Sequence, residues 1–161
     1  RIPLSPPREK KGGYKVQEPS IKNIEEVVIA VKDVEKAAAA FEDLFGMKFK
    51  VGWEISHEHV KVKSERIAGT QLQFIQSTSP EGVVAKFIES KGEGLNHFAL
   101  RVTNLKEMVK RLKEKGVKFI PEEPVEYEDP NIPLGKGLFA YIFVHPKSAY
   151  GTLIELIEAK E

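Results

Sequence analysis

Ile24-Glu25-Glu26-Val27-Val28-Ile29-Ala30-Val31 lies over Leu95-Asn96-His97-Phe98-Ala99-Leu100-Arg101-Val102 at a constant offset of 71, and that correspondence decides the fold. Both stretches are rich in β-branched and large apolar residues and read as strands. Working outward, Asp33 and Asn104 keep the offset and stand where a helix N-cap belongs. The first predicted helix carries Val34, Ala37, Ala38, Phe41, Leu44 and Phe45 at helical spacing and stops at Gly46. The second pairs Asn104 with Glu107 in a capping arrangement, runs through Leu112 and closes at Gly116. The closing strands match too, Thr70–Gln76 over Thr152–Glu158 at an offset of 82.

Between these landmarks, strands are expected near Lys48–Trp53, His59–Val62 and Gln71–Ile75 in the first half. In the second half they are expected near Val117–Ile120, Leu138–Val144 and Thr152–Ile157, with a Pro-rich acidic loop over Pro121–Lys136. Ser79-Pro80 opens a short connecting helix ending at Gly92. The pattern is an N-terminal arm over 1–20, a βαβββ module over 21–78, a connecting helix over 79–93 and a second βαβββ module over 94–161. The predicted class is α+β, with two tandem modules curling one sheet into an open cup and helices outside. The arm, with Pro3, Pro6, Pro7 and Pro19 and the basic stretch Arg8–Lys11, has no apolar period and reads as extended chain.

Composition bounds the chemistry. Among 161 residues, 25 Lys and Arg balance 24 Asp and Glu, a net charge of +1 that gives no general affinity for nucleic acid or anionic membrane. Cysteine is absent, so disulfides, thiol nucleophiles and Cys-ligated zinc are excluded, and any metal falls to His, Glu, Asp or Gln. No apolar run approaches the roughly 20 residues of a membrane span and the first residues hold no signal-peptide core, so the expected compartment is the cytoplasm.

Duplication itself points to a site, because equivalent positions of two like modules approach one another near their pseudo-twofold axis. Polar residues that interrupt apolar strands there are Glu26 with His97, and Gln73 with Glu155. Alternation puts Glu26, Val28 and Ala30 on one face, and His97, Ala99 and Arg101 on the corresponding face. Two carboxylates, an amide oxygen and an imidazole suit a divalent ion: Co, Mn, Mg or Fe(II), or Zn in an open rather than a closed structural site.

The repeat, with Thr70-Gln71-Leu72-Gln73, Val84-Ala85-Lys86-Phe87, Gly94-Leu95-Asn96-His97, His145-Pro146-Lys147-Ser148 and Gly151-Thr152-Leu153-Ile154-Glu155-Leu156, resembles the vicinal oxygen chelate superfamily. Within that glyoxalase/bleomycin resistance/dioxygenase group it is most similar to the methylmalonyl-CoA epimerases, over about residues 22–158. The resemblance implies a metal held by Gln73, His97, Glu155 and, where the family has His, Glu26. Glu26 is then either a ligand or a carboxylate paired with His97 in a site that has lost its ion. It further implies proton transfer by two carboxylates, the metal-side Glu155 and a strand residue whose place falls on Lys61, with Glu58 one register change away. A buried Lys61 can act as a base if desolvation lowers its pKa.

The implied activity is a metal-dependent isomerase or lyase acting at the carbon α to a thioester or keto oxygen, with a CoA thioester as substrate and a homodimer as assembly. The alternatives are a non-catalytic small-molecule-binding protein on the same scaffold and a glyoxalase-type lyase. Lys136, between two glycines, and Lys147 are candidates for phosphate contacts, and His145 for substrate contact, against the simpler readings of surface lysines and a turn histidine. His57 and His59 form an H-x-H pair on one strand face, read as the rim of a hairpin. Trp53 and Phe49 are read as cavity or core.

Overall fold

The computed structural model describes residues 17–160. Most of the predicted arm lies outside the described residues; its last part, Gln17 to Pro19, leads into the first strand. The strands are β1 (Ser20–Ala30), β2 (Val51–Ile55), β3 (Val60–Ile67), β4 (Thr70–Ser77), β5 (Gly94–Thr103), β6 (Phe119–Glu128), β7 (Leu138–Val144) and β8 (Ile154–Ala159). The helices are α1 (Val34–Phe45), α2 (Val83–Lys91) and α3 (Leu105–Glu114).

One eight-stranded sheet runs in the order β2-β3-β4-β1-β5-β8-β7-β6. Each module contributes one half, and β1 pairs antiparallel with β5 at the centre. Within each half the first strand lies parallel to the last, β1 to β4 and β5 to β8. The sheet curls as the α+β reading expects. One apolar cluster, with Val28, Trp53, Val62, Ile75, Ala99, Phe139 and Ile157, belongs to the concave side. Separate clusters form under α1 (Val34, Ala38, Phe74) and α3 (Leu105, Val109, Ile142). The connecting helix α2 packs Val84, Phe87 and Ile88 against the concave cluster, at the edge of the cup.

The helix signals hold unevenly. Asp33 Oδ1 accepts from the N–H groups of Glu35 (3.0 Å) and Lys36 (3.1 Å), and Gly46 closes α1 in the left-handed region at φ 68°. Asn104 sits in the expected place but does not cap α3 with its side chain. Glu158 supplies the cap from β8, accepting from Asn104 N (2.6 Å) and Leu105 N (3.0 Å), while Glu107 pairs with Arg111 (2.8 Å) instead. The connecting helix begins at Val83 after Gly82 rather than at Ser79-Pro80. A Cβ at Gly82 would lie 2.2 Å from Ser77 Oγ and 3.2 Å from Ser79 O, so any larger residue there must displace the serine hydroxyl.

The expected Pro121–Lys136 loop is in large part strand. β6 pairs with β7 at Phe119 and Ile120 and again over Val125–Glu128, and the register breaks between them. Pro121 and Pro124 fall in that gap, and proline has no N–H for a ladder, which is why the stretch reads as loop. The H-x-H strand pair also dissolves. His57 lies in a 3₁₀ turn (Ser56–Glu58) and His59 closes it at φ 54°, so the two do not share a strand face.

A second departure from alternation occurs in β1. The pairing with β5 shifts between Ile24 and Glu26, which leaves Glu25 as an extra residue in a β-bulge. Glu25 and Glu26 are consequently both buried, where simple alternation would put one of them in solvent.

Candidate functional site

Four neighbouring strands bring the four interrupting polar residues together. Val28 of β1 lies beside Gln73 of β4 and opposite His97 of β5, and Ala99 lies beside Glu155 of β8. One ligand atom from each of Glu26, His97 and Glu155 lies within 4.8 Å of the others. Gln73 neighbours Glu26 and favours its ionised form. All four are buried.

Burial sets the protonation of the cluster. Desolvation, with repulsion from Glu155 behind it, pushes the Glu26 carboxyl up to about 8. Desolvation likewise raises Glu155 to about 8, helped by the charge of Glu58, and lowers His97 to about 4. His97 is therefore neutral near pH 7. Its Nδ1 donates to Asn96 Oδ1 (2.7 Å), which leaves Nε2 with the lone pair, 3.2 Å from Glu155 Oε2. Ionised, Glu26 and Glu155 bring two negative charges to a buried site whose other members, His97 and Gln73, are neutral donors of a lone pair. A divalent cation offsets that charge, and the nitrogen and oxygen donors suit it. The residues fit the ion that the duplicated strands predicted.

The cluster forms the floor of a cavity of about 770 Å³, a size that holds a drug-sized ligand. Its walls are mainly apolar and aromatic, with Trp53, Phe87, Tyr127, Phe139, Tyr141 and Phe143. Trp53 lines it and Phe49 lies in the core under α1, both within the reading of cavity or core. Ile132 and Leu134, from the segment after β6, are buried in the wall.

The other predicted residues fall elsewhere. Lys61 does not reach the cavity: alternation in β3 turns Val60, Val62 and Ser64 inward and Lys61 outward, where its Nζ lies 3.4 Å from Glu35 Oε1 on α1. Lys136, His145 and Lys147 are not among the lining residues either. Lys136 and Lys147 are exposed in turns, and His145 Nδ1 accepts from Lys147 N (3.0 Å).

What faces the cluster instead is Glu58. It lines the cavity from the 3₁₀ turn of the first module, and the Tyr141 hydroxyl of β7 donates to its carboxylate across the cup. Sequence reading left Glu58 a register change away, because a strand was assumed where the chain turns. No local period links Glu58 to Tyr141, 83 residues distant.

The sequence profile described as the glyoxalase/bleomycin resistance protein/dioxygenase superfamily matches residues 25–133. The chain belongs to that superfamily. Among superfamily relatives, human mitochondrial methylmalonyl-CoA epimerase is 28% identical over 134 residues, covering 83% of this chain and 72% of the relative. The crystal structure of methylmalonyl-CoA epimerase from Mycobacterium tuberculosis superposes with a TM-score of 0.75 at 28% identity, over 88% of this chain and 90% of that one. A methylmalonyl-CoA epimerase in complex with methylmalonyl-CoA and NH4+ shares the superfamily fold at 21% identity and a TM-score of 0.74, over 87% and 96% of the two chains. The human and Mycobacterium tuberculosis likenesses support an epimerase-type activity for this superfamily member. Among the described residues no helix is long and apolar enough to cross a membrane.

Proposed function

We propose that this chain is a divalent-cation-dependent epimerase of a 2-substituted acyl thioester of the methylmalonyl-CoA type. The convergence of Glu26, His97 and Glu155 within 4.8 Å at the floor of an apolar cavity carries the reading. Glu26, Gln73, His97 and Glu155 would hold the ion, which would supply positive charge to polarise the thioester carbonyl and so acidify the neighbouring C–H bond.

The rest of the chemistry belongs to the chain. Apolar walls exclude water from the carbanion-like species and strengthen every charge interaction inside. Glu155, ionised, takes the α-proton on the floor side, and the C–H electron pair moves into the thioester carbonyl. Inversion requires that a proton return on the other face. Glu58, entering this direction protonated, lines the cavity and gives its proton, the role first given to Lys61, with the Tyr141 hydroxyl donating to the other carboxyl oxygen and orienting the group. In the reverse direction the two carboxyls exchange roles. Phosphates of a CoA carrier extend beyond the lining residues, where Lys136 and Lys147 are candidate contacts, and His145 for the adjoining arm. A homodimer belongs to the same reading and is tested by light scattering.

The deciding experiment is deuterium incorporation from D2O at C2 of a 2-methylmalonyl thioester, followed by NMR with added Co2+, Mn2+ or Mg2+ and with chelator. Metal-dependent incorporation with loss of stereochemical purity is expected. No incorporation with any of these ions sinks the reading.

A further inference from the structure

Behind Gln73 the sheet buries a polar chain that the proposed reaction does not touch. Glu25, brought inward by the β1 bulge, is 1% exposed and accepts from Arg66 Nη2 (2.7 Å), Asn23 Nδ2 (3.3 Å) and Gln71 Nε2 (3.5 Å), with Arg101 Nη1 at 3.9 Å. Gln71, also 1% exposed, directs its Oε1 to the Ser64 hydroxyl (2.9 Å) and to Gln73 Nε2 (3.4 Å). Gln73 in turn neighbours Glu26 and favours its ionised form.

The donor inventory gives this chain a direction. Held by two guanidinium groups, the Glu25 carboxylate offers acceptors only, so Gln71 must turn its NH2 end toward it. The Gln71 carbonyl oxygen then faces Gln73, which must answer with its own NH2 end. That end carries two N–H groups, one for Gln71 and a second on the side of the neighbouring Glu26, whose ionised form Gln73 favours. The Gln73 oxygen is left as the end of the amide without a donor obligation inside the chain. An unrestrained glutamine could present either end to a cation, and only the oxygen can bind one.

We infer that Gln71, anchored by Glu25 and Ser64, is a positioning residue that fixes the orientation of the Gln73 amide so that its carbonyl oxygen is delivered to the cation site. The inference rests on the cation-binding reading above. It assigns the bulge at Glu25 a purpose: without the extra residue, the carboxylate that orients the chain would lie on the other face of β1.

The test is a double-mutant cycle read as Co2+ affinity by calorimetric titration, with thermal unfolding of each metal-free variant alongside. Gln71→Leu is expected to weaken Co2+ binding by roughly 10- to 100-fold when Gln73 is present, and to change it less than about twofold in a Gln73→Ala background, because Gln71 acts only through Gln73. Ser64→Ala, which removes one hydroxyl and keeps Gln71, is expected to lose roughly two- to tenfold and serves where Gln71→Leu fails to fold. A merely structural role for Gln71 lowers the unfolding temperature and leaves Co2+ affinity unchanged; that result overturns the inference. An equal loss in both backgrounds overturns it as well. A wild-type chain that takes up no Co2+, Mn2+ or Mg2+ overturns the cation reading itself and this inference with it, whereas normal wild-type binding with an unaffected Gln71→Leu overturns the positioning role alone.

Discussion

Raising the pH of the metal-free protein from about 5 to about 8 is expected to destabilise it, against the usual behaviour of salt-bridged carboxylates. Glu26 and Glu155 have an ordinary value of 4.5 in the unfolded chain and about 8 in the fold, raised by burial. Below pH 4.5 both are neutral in either state and contribute nothing. Between 4.5 and 8 the unfolded chain has released protons that the fold retains, so each step up in pH favours unfolding; above 8 the loss is complete. One pKa unit corresponds to about 1.4 kcal/mol. Each group shifted this far sets a loss of about 5 kcal/mol and the two together on the order of 10 kcal/mol, comparable to the whole stability of many domains. His97, lowered to about 4 from 6.5, works on the acid side: the unfolded chain gains its proton first, so stability falls as pH drops through that window. Two glutamates outweigh one histidine wherever their windows overlap, so for these three groups the metal-free optimum should lie near pH 4.5. Urea unfolding with chelator at four pH values measures the curve. Glu26→Gln removes one buried charge and is expected to stabilise by about 4 kcal/mol at pH 8 and by little at pH 5. Excess divalent cation should flatten the alkaline limb, because it binds the ionised carboxylates that the bare fold penalises. A metal-free stability that is flat or rising from pH 5 to 8, or a Glu26→Gln variant that follows the wild-type slope, would refute the reasoning.

Two further outcomes follow from side-chain placement. Lys61→Ala should leave C2 deuterium exchange essentially unchanged, since Lys61 pairs with Glu35 outside the cavity, whereas Glu58→Gln should slow stereochemical inversion by roughly 10²- to 10⁴-fold. Glu158→Ala removes both caps of α3 and should cost about 1–2 kcal/mol in denaturant unfolding, with Glu107→Ala costing less because its partner Arg111 is on the surface.

The parts of this protein that were legible in its sequence are those that duplication imposes twice. Each module must bury the same faces, so β1 and β5 keep the apolar alternation and the offset that align Glu26 with His97, and β4 with β8 does the same for Gln73 and Glu155. What stayed illegible arises between elements far apart in the chain. The cap of α3 comes from Glu158, 54 residues beyond Asn104, and the partner of Glu58 comes from Tyr141 in the other module; neither leaves a local period to read. The bulge at Glu25 is a third kind of failure, because one unpaired residue in a ladder changes which face a side chain meets without changing composition or spacing.

The two modules are alike in backbone yet unlike in charge at the floor of the cup, and that asymmetry carries a physical constraint. Glu26 is the first module's equivalent of His97, and Gln73 that of Glu155, so each equivalent pair contributes one carboxylate and one neutral donor. Four carboxylates at these symmetric positions would bury a charge of about −4, which no single divalent ion offsets and which desolvation would keep protonated. Four neutral donors would hold an ion only by its solvation and supply no base. One acid and one neutral donor from each half leaves a charge of about −2, matched to a divalent cation, and still leaves Glu155 beside the cavity to move a proton. The replacement expected to disturb this balance most is therefore not loss of a ligand but Gln73→Glu, which adds a third buried carboxylate to a floor whose two existing ones already resist ionisation.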